Sequence, residues 1–259
     1  MTDTAGKFPR ISSTPAYQLV AEAIERQILS GRIRPGQPIG TEAALVKQFG
    51  VNRSTVREGI RLLEQGGLIR RDSNRRLSVG LPHYERLATR MSRALVLSEV
   101  TFRELYEAAM VLQTATAEAA VEHATPEILA ELEANIAMTR QVSHDPGAVT
   151  ELDAEFHTLI GKASQNRVLQ LAREPTNLLI YPTTELILRN VREGTSRLIE
   201  AHRMILDALQ RRDKDACRAW VRRHLNDWRR GFERTGKDLD HPIDRIYIQG
   251  DLPANSRTR

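Results

Sequence analysis

The sequence predicts a mainly α protein: an N-terminal winged helix-turn-helix domain followed by a C-terminal all-helical antiparallel bundle. Three observations carry this expectation. Long Ala-, Leu-, Glu- and Arg-rich segments of helical periodicity run through a chain whose aromatic content is only 5%. With 259 residues and 41% hydrophobic content, the chain can bury a sizeable core and divides more naturally into two domains than one. The charge is divided as well: residues 1–82 hold 13 Lys and Arg against 7 Asp and Glu, a balance of +6, whereas the remainder holds 25 against 26. A basic excess confined to the first third suits a module that meets a polyanion.

Several classes are set aside at once. No apolar run approaches the roughly 20 residues needed to span a bilayer, and "MTDTAGKFPR" lacks the apolar stretch of a signal peptide, so a cytoplasmic protein without membrane partners is expected. The single cysteine, Cys217, excludes an intrachain disulfide and a Cys-based zinc cluster. It reads as a small buried apolar residue in the helix around Trp220.

After a flexible N-terminus, residues 1–14, the first domain spans residues 15–82. Its first helix lies in "STPAYQLVAEAIERQILSG", with Thr14 able to cap, Pro15 in the first turn, Leu19, Ala23, Ile24 and Ile28 as the inward stripe and Gly31 as the stop. "RIRPGQPIG" is a turn-rich connector. "TEAALVKQFG" is a short helix with Thr41 as cap and Gly50 as exit, and "RSTVREGIRLLEQGG" is a third helix facing Val56, Ile60 and Leu63 inward. Two short helices across a tight turn, the second opening with Arg53, Ser54, Thr55 and Arg57, form a helix-turn-helix whose leading residues can reach base edges and phosphates. "LIRRDSNRRLSVG" reads as a two-stranded wing with its tip at Asp72 to Arg75, which would place Arg70, Arg71, Arg75 and Arg76 near the DNA backbone or minor groove.

The stretch "PGQPIGTEAALVKQFGVNRSTVREGIRLLEQGGLI" resembles the N-terminal winged helix of GntR-family bacterial transcription regulators, over about Tyr17 to Val79. The resemblance implies that Arg53, Ser54, Thr55 and Arg57 contact DNA, that Thr41 caps its helix on the phosphate side, and that Asn74 and Arg75 sit at the wing tip. Two positions depart from the pattern. Ala43 stands where many members carry a DNA-contacting arginine, and Asn74 stands at the wing-tip glycine, where it tolerates left-handed backbone. The operator of a relative therefore cannot be carried over.

Residues 83–100 read as linker and then helix. The second domain, residues 101–236, follows as six helical segments punctuated by Thr125-Pro126, Asp145-Pro146 and Gly236, with Pro175 and Pro182 expected to bend or break the fourth. Within "ELDAEFHTLIGKASQN", Asp153 and His157 lie four residues apart and share a helix face. The last two helices join near "RRDKD", and His202 and His224 each lie 11 residues from Asp213, so an antiparallel hairpin brings them to one height about 16 Å from the turn. Asp153, His157, His202 and His224 together make a ligand set for a divalent metal, Zn²⁺ first, with Ni²⁺ or Mn²⁺ as alternatives. His83, His123, His144 and His241 have no matching partner and are expected in solvent.

The Asp-x-x-x-His pair and the 22-residue spacing between His202 and His224 resemble the metal site of the FCD ligand-binding domain in the FadR branch of GntR regulators, over roughly Thr101 to Gly236. FCD members commonly carry E-x-R-x-x-L-E in the first bundle helix, where the arginine helps to bind carboxylate effectors. Here the segment is "EAAMVLQ", with Ala109 and Gln113 at the Arg and Glu positions. The expected effector is therefore an organic acid or a larger, more apolar acid, and whether Arg103, Arg189 or Arg192 replaces the missing charge stays open.

The leading expectation is a non-enzymatic regulator, a repressor that binds a palindromic double-stranded DNA operator as a homodimer and answers to a small-molecule effector. One recognition helix covers too few base pairs for selectivity, so two-fold symmetry must supply the second half-site. Two alternatives stand beside it: a metal-dependent hydrolase fused to a DNA-binding domain, with Glu155 or Glu200 as a nearby carboxylate, and a metal-independent sensor of acyl ligands. Residues 237–259 form a C-terminal tail whose apolar Ile246 to Ile248 matches no motif.

Overall fold

The computed structural model describes residues 14–71, 76–80 and 84–243, which form ten helices and three short strands. Asn74 and Arg75 of the expected wing tip, His83, and Ile246 to Ile248 lie outside the described residues. The chain divides into two compact units, one ending at His83 and the other beginning at Tyr84.

In the first unit, helix α1 (Ala16–Leu29) packs on α3 (Arg53–Gln65), and α2 (Glu42–Phe49) packs on α3 beside it. The buried stripe of α1 is Val20, Ala21 and Ile24, with Ile28 against the same core, and Leu19 is exposed. Ile24 and Ile28 face inward as expected, whereas Val20 takes the place expected of Leu19, because the two satisfy the 3.6-residue period almost equally. Pro15, not Thr14, is the N-cap of α1, and no side chain closes that end. Thr41 Oγ1 does cap α2, accepting from the Ala44 amide at 3.2 Å, and Gly50 leaves α2 in the left-handed conformation, φ 64°.

The connector "RIRPGQPIG" contains a strand that the sequence did not announce. Strand β1 (Pro38–Gly40) pairs antiparallel with β3 (Leu77–Val79), which pairs in turn with β2 (Ile69–Arg71), so the sheet order is β1-β3-β2. A proline-led strand of three residues has no alternating pattern to detect, and it is tolerated because it lies on the edge.

Gly59 lets α1 cross α3 closely. A Cβ there would lie 2.8 Å from the Tyr17 carbonyl oxygen and 3.1 Å from Val20 Cγ1. Gly59→Ala is therefore expected to destabilise this unit by about 1–3 kcal/mol through overpacking against backbone. Hydrogen exchange at the Ile60 amide should register it as faster opening, and unchanged protection would contradict the close crossing.

The second unit is a bundle of α4 (Tyr84–Leu97), α5 (Phe102–His123), α6 (Pro126–Gln141), α7 (Pro146–Ala163), α8 (Arg167–Asn190), α9 (Gly194–Gln210) and α10 (Lys214–Arg234). Its core centres on Phe102, Leu105, Leu132, Phe156, Ile205 and Leu209. Thr101 and Glu104 form a reciprocal capping box, Thr125 caps ahead of Pro126, and Asp145 caps ahead of Pro146. Helix α8 runs through Pro175 and Pro182 without a break. Each proline removes only one backbone donor, and α8 is held by packing on α4, α5 and α7. Ser92 of α4 adds a hydrogen bond to the Pro175 carbonyl oxygen at 2.9 Å.

The first part of the expected tail is docked. Ile243 N donates to the Val100 carbonyl, Arg103 N donates to the Leu239 carbonyl, and the Arg103 guanidinium forks onto Asp240 at 2.6 and 2.9 Å. Leu239 and Ile243 are buried against the bundle core. Among the described residues, no helix is long and apolar enough to cross a membrane.

Candidate metal centre and nucleic-acid interface

The helix-turn-helix side chains sit where a duplex could reach them. Arg53, Ser54 and Arg57 are exposed at the start of α3, and Thr55 is half-buried. Asn52, which the sequence reading passed over, organises them. Its Oδ1 accepts from the Thr55 amide at 2.8 Å and from Ser54 Oγ at 2.7 Å, which caps α3 and fixes the serine rotamer. An Asn directly before a helix was the signal available. Of the wing arginines, Arg70 is exposed and Arg71 is engaged: it donates to Glu64 at 3.2 Å and to Glu42 at 3.2 Å, tying the wing to the two helices that precede it. Arg71 thus anchors the wing to α2 and α3.

In the second unit, three helices bring four ligand-type side chains together. Asp153 and His157 come from adjacent turns of α7, His202 from α9 and His224 from α10. The turn between α9 and α10 closes with Arg212 at φ 57° and Asp213 capping α10 through the Ala216 amide at 2.9 Å. The equal spacing of the two histidines from that turn puts their ring centroids 5.0 Å apart. All four side chains offer a ligand atom within 4.8 Å of the others.

Three imidazole Nε2 atoms converge on one carboxylate oxygen. Asp153 Oδ1 lies 3.2 Å from His202 Nε2, 3.6 Å from His157 Nε2 and 4.0 Å from His224 Nε2, and the last two nitrogens are 3.2 Å apart. Around an ion with ligand bonds of about 2.0–2.1 Å, neighbouring donors stand about 2.9–3.4 Å apart and opposite ones about 4.1 Å. The spacing fits a single ion. Despite the 3.2 Å separation, Asp153 Oδ1 and His202 Nε2 make no hydrogen bond, and both are buried without a partner. Atoms this close that do not aim at each other are what donors facing a common centre look like. A buried polar atom left unmatched is costly, so the set calls for a guest.

Burial governs the protonation of the cluster. It drives His202 down to about 3 and His224 down to about 4, the latter lowered further by the neighbouring His202, and holds His157 well below its ordinary range. The three rings are therefore neutral at pH 7, the form that ligates metal. His202 is held by stacking on Phe156, with centroids 3.7 Å apart and planes at 7°. Its Nδ1 lacks the hydrogen-bond partner that usually orients a ligating histidine, so the stack takes over that positioning.

A cavity of about 70 Å³ opens beside Asp153, His157 and His224. Its walls are mostly apolar, with Ile180, Ile187 and Leu188 of α8 facing Leu225 and Trp228 of α10, and Arg197, Arg230 and Arg234 also line it. A Cβ on Gly231 would stand 2.6 Å from Ile187 Cγ2, so this glycine permits the close approach of α10 to α8. None of Arg103, Arg189 and Arg192 lines the cavity. Arg103 is paired with Asp240, Arg189 with Glu185, and Arg192 is exposed. Glu155 accepts from Asn135 Nδ2 and Glu200 is exposed, and neither lines the cavity. Cys217 is fully buried, and burial pushes its thiol up to about 12. His123, His144 and His241 are exposed.

Residues 16–79 match the model of "Bacterial regulatory proteins, gntR family", and residues 104–227 match that of the FCD domain. This chain is a GntR-family protein with an FCD domain. An uncharacterized HTH-type transcriptional regulator of Bacillus subtilis, YdhC, is 28% identical over 216 residues, covering 82% of this chain and 89% of that one. The HTH-type transcriptional repressor NanR of Salmonella typhimurium is 23% identical over 224 residues, 85% of each chain. Streptococcus agalactiae GntR, a solved structure, shares the fold with a TM-score of 0.54 at 21% identity, over 83% of this chain and 99% of that one. The GntR match covers the helix-turn-helix and the FCD match covers all four clustered residues, so this GntR/FCD protein is a transcription regulator.

Proposed function

We propose that the protein is an effector-responsive repressor that binds a palindromic operator as a homodimer, and that Asp153, His157, His202 and His224 hold a divalent cation, Zn²⁺ in preference to Ni²⁺ or Mn²⁺, at the floor of its effector cavity. The observation that carries the proposal is the convergence of three neutral imidazoles and one carboxylate, with orphaned buried atoms, beside an apolar cavity in a chain that begins with a helix-turn-helix. A bound cation would offer a Lewis-acidic anchor for the acid group of an effector. The apolar walls contributed by α8 and α10 would select its body, and Arg197, Arg230 and Arg234 lie on the cavity lining to meet further negative charge.

The name of the Salmonella relative supports the repressor reading, and exposed Arg53, Ser54 and Arg57 support the DNA contact. A hydrolase would need a base beside the ion, and Glu155 and Glu200, the carboxylates first considered for it, lie outside the cavity lining. The test is selection of bound sequences from a random duplex pool by the full-length protein, paired with sedimentation of the selected complex. An inverted repeat bound by two chains is expected, with log affinity falling steeply with log salt. Recovery of asymmetric sites bound by one chain would contradict the proposal.

A further inference from the structure

Glu42 opens α2 between the capping Thr41 and the exposed Ala43, and its carboxylate faces two arginines of the helix-turn-helix unit. The side chain is only 17% exposed. It holds the two arginines unequally. Oε1 accepts from both terminal nitrogens of Arg71, Nη1 and Nη2, at 3.2 Å each, whereas Oε2 stands 3.8 Å from Arg53 Nε, beyond hydrogen-bond reach. Glu64 of α3 takes the other edge of Arg71, accepting from Nε at 3.2 Å.

A guanidinium meets a phosphate best through a fork of parallel N–H groups, and sequence-blind attraction to DNA grows with each phosphate neutralised in this way. In Arg71 the terminal pair faces Glu42 and Nε faces Glu64, so both edges of this wing arginine are turned to carboxylates. Arg70, its neighbour on the opposite face of β2, meets a neutral partner instead, Ser78 Oγ at 3.4 Å. The helix dipole accounts for negative charge in the first turn of α2, but not for the aim of that charge at the terminal nitrogens of Arg71.

We infer that Glu42 is a specificity-determining residue of the DNA interface, acting through Arg71: it withholds the wing guanidinium from phosphates while leaving Arg53, at the start of α3, available to base edges. Sequence-blind binding is thereby lowered, and discrimination rests on α3. Glu42 is a positioning residue and need not touch DNA itself. The inference rests on the reading of α3 as the recognition helix.

The test is the affinity of the full-length protein for the duplex selected from a random pool and for a scrambled duplex of the same composition, each measured over a range of salt. Glu42→Gln keeps an acceptor for Arg71 but removes the charge, so a phosphate can compete for the guanidinium. The variant is expected to bind the scrambled duplex several-fold more tightly, with a slope of log affinity against log salt steeper by about 0.9, and its preference for the selected duplex should fall several-fold. In an Arg71→Met background the same substitution should leave the slope unchanged, which the mere loss of a negative charge at the end of α2 would not do. Glu64→Gln lies on α3, should act in the same direction more weakly, and decides the matter if Glu42→Gln does not fold. Unchanged preference and slope in a selective protein, or a gain that persists with Arg71→Met, would overturn the inference and leave α3 as the reader. A parent that selects no sequence would overturn both.

Discussion

Arg53→Ala with Arg57→Ala is expected to reduce operator affinity about a hundredfold or more, since each arginine that forks onto a base contributes roughly 1–3 kcal/mol. The two side chains project from successive turns at the start of α3, and both are exposed. Arg53 is only loosely held, its Nε 3.8 Å from Glu42 with the side chain 76% exposed, so it can swing to DNA at little cost. Measured against a scrambled duplex, the double variant should lose specific binding more than non-specific binding. If the arginines met only phosphates, binding would instead weaken uniformly and the salt slope would fall by about one per residue. Operator binding equal to that of the parent would remove α3 from the recognition role.

His224→Ala is expected to abolish stoichiometric metal binding and to lower the melting temperature of the bundle by several degrees, as each kcal/mol lost moves the midpoint of a domain this size by about 2–4 °C. His224 is the informative choice. His202 also stacks on Phe156, so its removal would open a cavity whatever the ion does. His224 lies mid-helix in "WVRRHLNDW", where alanine preserves helix propensity. Non-specific DNA binding by the first unit should be unchanged. The control is internal: with chelator present, parent and variant should melt nearly together, and a gap that survives chelation would make His224 a packing residue.

Much of this site could be read from the chain because two regular rules sufficed. The four-residue step from Asp153 to His157 keeps a helix face, and equal distances from Asp213 bring His202 and His224 level across a hairpin. The helix-turn-helix was legible for a similar reason, since Thr41 and Gly50 mark their helix ends by local chemistry. What was missed depended on tertiary context. Arg173 looks like any solvated helix charge until the packing of α7, with Gly161 opposite, encloses it. The pairing of Arg71 was hidden as well, because the sequence does not reveal that Glu42 and Glu64 fold back onto it. The docking of Leu239 and Ile243 likewise depends on where the start of α5 lies in space. Pro175 and Pro182 suggested a bend or a break, but α8 continues through both, packed against its neighbouring helices.

The most direct test of the proposed metal centre is elemental analysis of the full-length protein, purified without chelator, alongside melting curves before and after chelation and after return of Zn²⁺, Ni²⁺ or Mn²⁺. The account predicts close to one divalent ion per chain, a melting temperature that falls when the ion is stripped, and recovery on its return. A metal-free protein whose melting is indifferent to all three ions would contradict it, leaving Asp153, His157, His202 and His224 as buried polar groups without a shared guest.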